Sequence, residues 1–180
     1  MVARALRKGP PSLTAWVYDS PVGAAAGELR LRRLRQRGAV TLEGAATVTW
    51  VPGAHRPRTR PLQQTSSGPS SSVLDALCSC LWPAEPTPRL AGPEAAPGAA
   101  RLTQHLADAG IDPAFLGEIR AAVAPGSSAL LVLALDVDLD AIRAVIERGR
   151  ARGDVVLLHT WLAADAATHI DLARTQLGSG

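Results

Sequence analysis

Cysteine is almost missing from this sequence, with Cys78 and Cys80 the only two. A disulfide framework is thereby excluded, and a lone C-x-C has neither the second ligand pair nor the spacing of a structural zinc site. Aromatic residues make up 3% of the chain. A core must therefore be built from Leu, Val, Ile and Ala, and the aromatic-rich strands on which a sheet-type RNA binder stacks bases are lacking. Lysine is reduced to Lys8, and arginine supplies the rest of the basic side chains. No apolar run is long enough to cross a bilayer: the longest one without charge, Ala121 to Leu135, falls short of about 20 residues and contains Pro125-Gly126. Behind Arg4, Arg7 and Lys8 stands Gly9-Pro10-Pro11 rather than an apolar stretch. No secretory signal is read there, and a cytoplasmic location is expected.

What is present fits one domain. A chain of 180 residues, 47% hydrophobic and 19% charged, can close one hydrophobic core and would crowd two. Charge is polarised along it, with a net +8 over residues 1 to 60 and a net −5 over residues 61 to 180. Such asymmetry points to attraction between the halves, within one chain or between subunits, or to an anionic partner.

After a flexible basic leader, residues 1–12, Leu13 to Tyr18 reads as a buried strand. Asp19-Ser20-Pro21 is a turn that can cap the next helix, Val22 to Arg37. In that helix Ala24, Gly27, Leu31 and Leu34 recur on one face and Arg30, Arg33 and Arg37 on another, and Gly38 ends it. A β-rich run, Ala45 to Val51, closes at Pro52-Gly53, and Arg56 to Arg60 can return as an edge strand guarded by Pro57 and its charges. Residues 63–100 are rich in Ser, Pro, Gly and Ala and read as a poorly ordered linker whose one apolar island is Val73 to Trp82.

The second half starts a helix at Asp112-Pro113, with Phe115, Leu116, Ile119 and Val123 on one face. A strand over Ser128 to Leu135, a helix over Asp138 to Arg152, a strand over Val155 to Leu162 and a last helix carrying Ala166, Ile170, Ala173 and Leu177 follow. Each half runs strand, turn Asp, Arg-bearing helix, closing Gly and a strand ending Thr-Trp. The expected fold is therefore α+β and ferredoxin-like. Two βαβ halves, residues 13–62 and 101–180, build one composite domain: a four-stranded antiparallel sheet with helices packed on one face. Its other face is left for the last helix, the middle segment or a second subunit to cover.

No catalytic constellation emerges from the titratable residues. His159, Asp165 and His169 are near in sequence, but their spacing fits no metal motif. Asp136, Asp138 and Asp140 lack the glycine and closing glutamate of a calcium loop and suit a helix N-terminus, as does Asp19. Neither a catalytic residue, a cofactor nor a metal ligand is assigned. The one candidate binding surface is basic: Arg30, Arg33 and Arg37 with Arg56, Arg58 and Arg60. It suits an anionic membrane surface better than a nucleic acid, for want of stacking aromatics.

A wider pattern links these segments. Ala15-Trp16-Val17-Tyr18-Asp19-Ser20-Pro21, the run Ala45 to Trp50 with Gly53 and Pro57 to Arg60 behind it, Leu106 to Asp112 with Phe115, and Pro125 to Leu130 occur in order. Together they resemble a widespread bacterial family, domain of unknown function 1269, described as an uncharacterised membrane protein, over roughly residues 13 to 62 and 101 to 177. The resemblance implies no reaction, ligand or catalytic residue. Its members place an apolar, glycine-zipper-like stretch between the halves. Here the corresponding residues include Ser70, Ser71, Ser72, Asp75, Glu85, Pro86, Pro88, Arg89, Pro93 and Glu94. Each proline costs a helix about 3 kcal/mol, and each central charge about 2.5 kcal/mol or more in a bilayer, so a membrane hairpin is disfavoured.

The reading that follows is a non-enzymatic protein of unknown function that self-associates through an uncovered sheet face and is peripheral to the membrane at most. The first alternative is a regulatory module of ferredoxin-like type that binds a small molecule between sheet and linker. Others are an anionic-surface or nucleic-acid binder working through the basic cluster, and an enzyme using His159 or His169 with Asp165.

Overall fold

The computed structural model describes residues 10–62, 74, 77, 78, 81, 82, 104, 106–138, 142, 147, 148, 151, 155–163, 165 and 166. Among them run β1 (Ser12–Tyr18), α1 (Gly23–Gln36), β2 (Val40–Thr49), β3 (Arg58–Pro61), α2 (Pro113–Ala122), β4 (Ser128–Val137) and β5 (Val156–Trp161). Residues Leu74, Leu77, Cys78 and Leu81, then Gln104 and Leu106 to Asp108, then Ile142, Glu147, Arg148 and Ala151 are also helical. The leader up to residue 9, most of the middle segment, Cys80, Asp140, His169 and the last helix beyond Ala166 lie outside the described residues.

The strands form one antiparallel sheet in the order β3-β2-β4-β1-β5, which with its helices makes the chain α+β. The four strands of the two halves are joined by a fifth, Arg58–Pro61, which returns along the end of β2 as the edge strand that the sequence places at Arg56 to Arg60. Its exposed arginines and Pro61 make β3 a poor template for further pairing, as an edge strand requires. β2 also begins earlier than its β-rich run, at Val40, and its register against β4 shifts on either side of Leu42.

Period-two alternation sorts the strands' side chains onto two faces. Leu13, Ala15 and Val17 of β1 share one face with Ala129, Leu131 and Leu133 of β4, and Trp16 and Tyr18 share the other with Leu130 and Val132. Helices cover both. α1 lies on the second face through Ala24, Leu31 and Leu34, the stripe expected from its spacing. On the first face sit Ile111, Phe115 and Ile119, together with Leu74, Leu77, Cys78 and Leu81 of the middle segment.

One expectation is thereby corrected and another narrowed. The apolar island is core rather than linker: Leu74, Leu77 and Leu81 are each 1% exposed. A spacing of three and four residues turns them to one side of a helix, and burial of that side outweighs the turn-forming composition around it. Of the three coverings considered for the open sheet face, the middle segment is the one seen among the described residues, where this island packs on it beside α2.

Helix ends show which local signals decide. At the start of α2, Asp112 accepts a 2.7 Å hydrogen bond from the Ala114 amide, with Pro113 at the first turn, as its sequence predicts. At the start of α1 the expected Asp19 cap is absent and Asp19 is exposed. Ser20 Oγ accepts from the Val22 amide, and Ser128 reaches across from β4 to accept from the Ala24 amide at 2.9 Å while donating to the Ser20 carbonyl at 2.6 Å. At the far end, Gly38 takes φ +68°, and the amides of Gly38 and Ala39 return to the carbonyls of Arg35 and Leu34. That is a Schellman closure, in which glycine bears the left-handed residue without strain.

Beneath the first half of α1 the packing is tight. A β-carbon on Gly27 would lie 2.5 Å from the Tyr18 hydroxyl and 3.2 Å from Leu130 Cδ2. Inside a helix Gly→Ala ordinarily gains about 0.5–1 kcal/mol. Here Gly27→Ala is expected to cost about 1–3 kcal/mol through overpacking, seen as a lower urea midpoint at unchanged slope. A gain in stability would show that Tyr18 can yield.

Candidate functional site

Under the second half of α1 the packing fails to close. A cavity of about 220 Å³ lies between the helix and the sheet. Strand register explains it. Ser12 on β1 lies opposite Ala134 on β4 and Trp161 on β5, and Thr14 lies opposite Val132 and His159. This end of the face is floored by small side chains, whereas Trp16, Tyr18 and Leu130 fill the other end. Leu31 and Leu34 roof the space together with Ile142. Val40 and Val137, paired across β2 and β4 beside the register shifts, close one side.

The lining is apolar apart from Ser12, Thr14, His159 and the Trp161 indole. Ser12 is 1% exposed, and its Oγ has no hydrogen-bond partner among the described residues. A buried hydroxyl in that state costs about 1–3 kcal/mol, so its position toward an open space is chemically informative. His159 and Trp161 stand edge to face, ring centroids 4.5 Å apart, and both are exposed. They form the mouth of the cavity on terminal strand β5.

Apolar surroundings push the His159 imidazole below the ordinary histidine value, because partial burial disfavours its charged form. The unfolded chain then takes up a proton at higher pH than the folded one. Stability from this residue is whole above about pH 6.5 and is lost as pH falls through the lowered folded value. The urea midpoint of the wild type should therefore drop more steeply below pH 6.5 than that of His159→Gln, and parallel curves would contradict the depressed imidazole.

The sequence candidates are placed as follows. His159 lies at the cavity, while Asp165 is exposed and its neighbours Ala163 and Ala166 pack with the core of the opposite face. His169 is outside the described residues. Among the described residues no group of three His, Cys, Asp or Glu side chains is placed to hold a metal. Cys78 is buried in the core. Of the basic set, Arg33, Arg37, Arg56, Arg58 and Arg60 are exposed and Arg30 is half-buried. Glu28 on α1 joins this surface, pairing with both Arg60 of β3 and Arg32 at 3.1 Å. Exposed pairs of this kind contribute about 0–1 kcal/mol.

Sequence reading missed Ser12, Thr14 and Ala134. Ending the leader at residue 12 removed Ser12 from the strand. The usable signal was alternation, since Ser12, Thr14 and Trp16 fall on one side of a strand whose other side is Leu13, Ala15 and Val17. A polar start to a buried face marks either a hydrogen-bonded core or a site.

The family model described as protein of unknown function, DUF1269, matches residues 86–173. The chain resembles the DUF1269 family. No curated protein and no solved structure matches it. The DUF1269 match contains α2, β4 and β5, hence Ala134, His159 and Trp161, while β1 and α1, which supply Ser12, Leu31 and Leu34, precede it. The cavity is thus composite, half inside the matched region and half outside. That family carries no assigned activity. Among the described residues no helix is long and apolar enough to cross a membrane.

Proposed function

We propose that this chain is a non-enzymatic binding module of ferredoxin-like type that holds a small molecule between its sheet and α1. The fold assignment is supported by the interleaving of β1 and β4 between β5 and β2, the arrangement two crossed βαβ units produce, with β3 added at the edge. The binding assignment rests on one observation: Ser12 Oγ is buried on the floor of an apolar cavity with no hydrogen-bond partner among the described residues. Convergent polar groups in an apolar pocket are what ligand sites look like. The pocket lies on the α1 side of the sheet rather than against the middle segment. A small-molecule panel, followed by amide shifts of the intact chain, tests the proposal. Saturable shifts at Ser12, Thr14 and Ala134 are expected, and a panel that leaves these amides unmoved contradicts it.

Self-association is a second reading, favoured by β5. This terminal strand of the described sheet carries neither charge nor proline and exposes Val156 and Trp161. Such an edge is a template for antiparallel pairing with a second copy. Light scattering at micromolar concentration should give twice the chain mass, and Val156→Lys should return it to the monomer. A wild-type monomer excludes this reading.

A further inference from the structure

The shape and polarity of the cavity narrow its occupant, on the footing that the chain is a binding module. We infer that it takes an uncharged molecule the size of a ring with a small substituent, carrying one hydroxyl, amine or carbonyl group that hydrogen-bonds to Ser12. Size comes first. An apolar protein cavity of about 150 Å³ accepts benzene, and this one measures about 220 Å³. The difference leaves room for a substituent or a small fused ring but not for a nucleotide or a long chain.

Charge comes next. Among the described lining residues there is no Arg, Lys, Asp or Glu. An ionised carboxylate or ammonium placed there would lose its hydration without a counter-charge, a cost far above that of any single hydrogen bond. The exposed arginines stand on the outer surface of α1 and on β3 and do not line the space.

Polarity at one point comes last. Ser12 Oγ can donate and accept, so it satisfies a phenol, an aniline or a cyclic amide equally. The rest of the floor and roof, Ala134, Val132, Leu31 and Leu34, offers the ring only apolar contact. Trp16 in the wall and Trp161 at the mouth supply aromatic surfaces against which a flat ring packs well.

Three matched probes on the full chain, p-cresol, p-xylene and p-toluate, test this by amide and indole shift titrations. They share the p-tolyl ring and differ in one group, hydroxyl, methyl or carboxylate, the first two matched in size. Binding of p-cresol about tenfold tighter than p-xylene, the worth of about 1.4 kcal/mol from one hydrogen bond, is expected. Binding of p-toluate should be weaker than either. Ser12→Ala should bring p-cresol and p-xylene to equal affinity. Its amide spectrum reports whether the fold is kept, and Ser12→Thr, which keeps the hydroxyl, should retain the preference. Equal affinity of the wild type for p-cresol and p-xylene, or tighter binding of p-toluate, overturns the ligand class while leaving a binding module in place. No saturable shift from any probe, in a protein that binds another class of molecule at these amides, also overturns the class. Silence of these amides to every compound overturns the module itself.

Discussion

Leu77→Ala is expected to destabilise the protein by about 2–5 kcal/mol, the range for truncating a buried leucine, although the residue lies in a stretch whose composition reads as linker. Leu77 is 1% exposed and packs in the same cluster as Leu131 of β4 and Ile119 of α2. Removing its branched end leaves a hole between the helical island and the sheet. The surroundings cannot easily collapse into it, because the island is tied at its end: Arg120 of α2 donates from Nε to the Leu81 carbonyl at 3.0 Å. Urea unfolding gives the result as a shift of midpoint at constant slope. A change within about 0.5 kcal/mol, typical of exposed positions, would return the island to the linker and reopen that face of the sheet.

Ser128→Ala should cost about 2–4 kcal/mol, an unusual amount for the loss of one oxygen. Ser128 is fully buried and serves two backbone groups of the α1 entry turn, the Ala24 amide and the Ser20 carbonyl. The substitution leaves both without their partner in a site that water does not reach, and each orphan costs about 1–3 kcal/mol. The loss falls on the junction of α1 with β4, so hydrogen exchange of the first turn of α1 should accelerate more than that of β5. Ser128→Thr, which keeps the hydroxyl, should recover part of the stability. A loss below about 1 kcal/mol would mean that Ser20 Oγ alone caps the helix.

Both variants probe features that local sequence signals cover unevenly. The stripe Ala24, Gly27, Leu31 and Leu34 was legible because a helix repeats every 3.6 residues, and α2 was legible because Asp112-Pro113 is a cap complete in two residues. The edge strand after Pro57 could be read from its charges. The island was legible too, since Leu74, Leu77, Cys78 and Leu81 keep helical spacing, but its Pro- and Ser-rich flanks outweighed that pattern. Ser128 was beyond local reading, because it caps a helix 104 residues earlier in the chain. The cavity was equally so. It exists because Ser12 of β1, Ala134 of β4 and Trp161 of β5 meet in one cross-strand row. No window of the sequence contains that coincidence, and the position of His159 beside it has no meaning without the register.

The account stands on a space beneath the second half of α1, and Ala134→Leu measures that space directly. Ala134 is 2% exposed and lies on the cavity floor opposite Ser12. Three added carbons either enter the open volume or collide with α1. The account predicts a melting temperature equal to or above that of the wild type, with loss of p-cresol binding. A fall of about 2–4 °C for each of the roughly 1–3 kcal/mol that overpacking costs would contradict it and leave the chain with a closed core and no site.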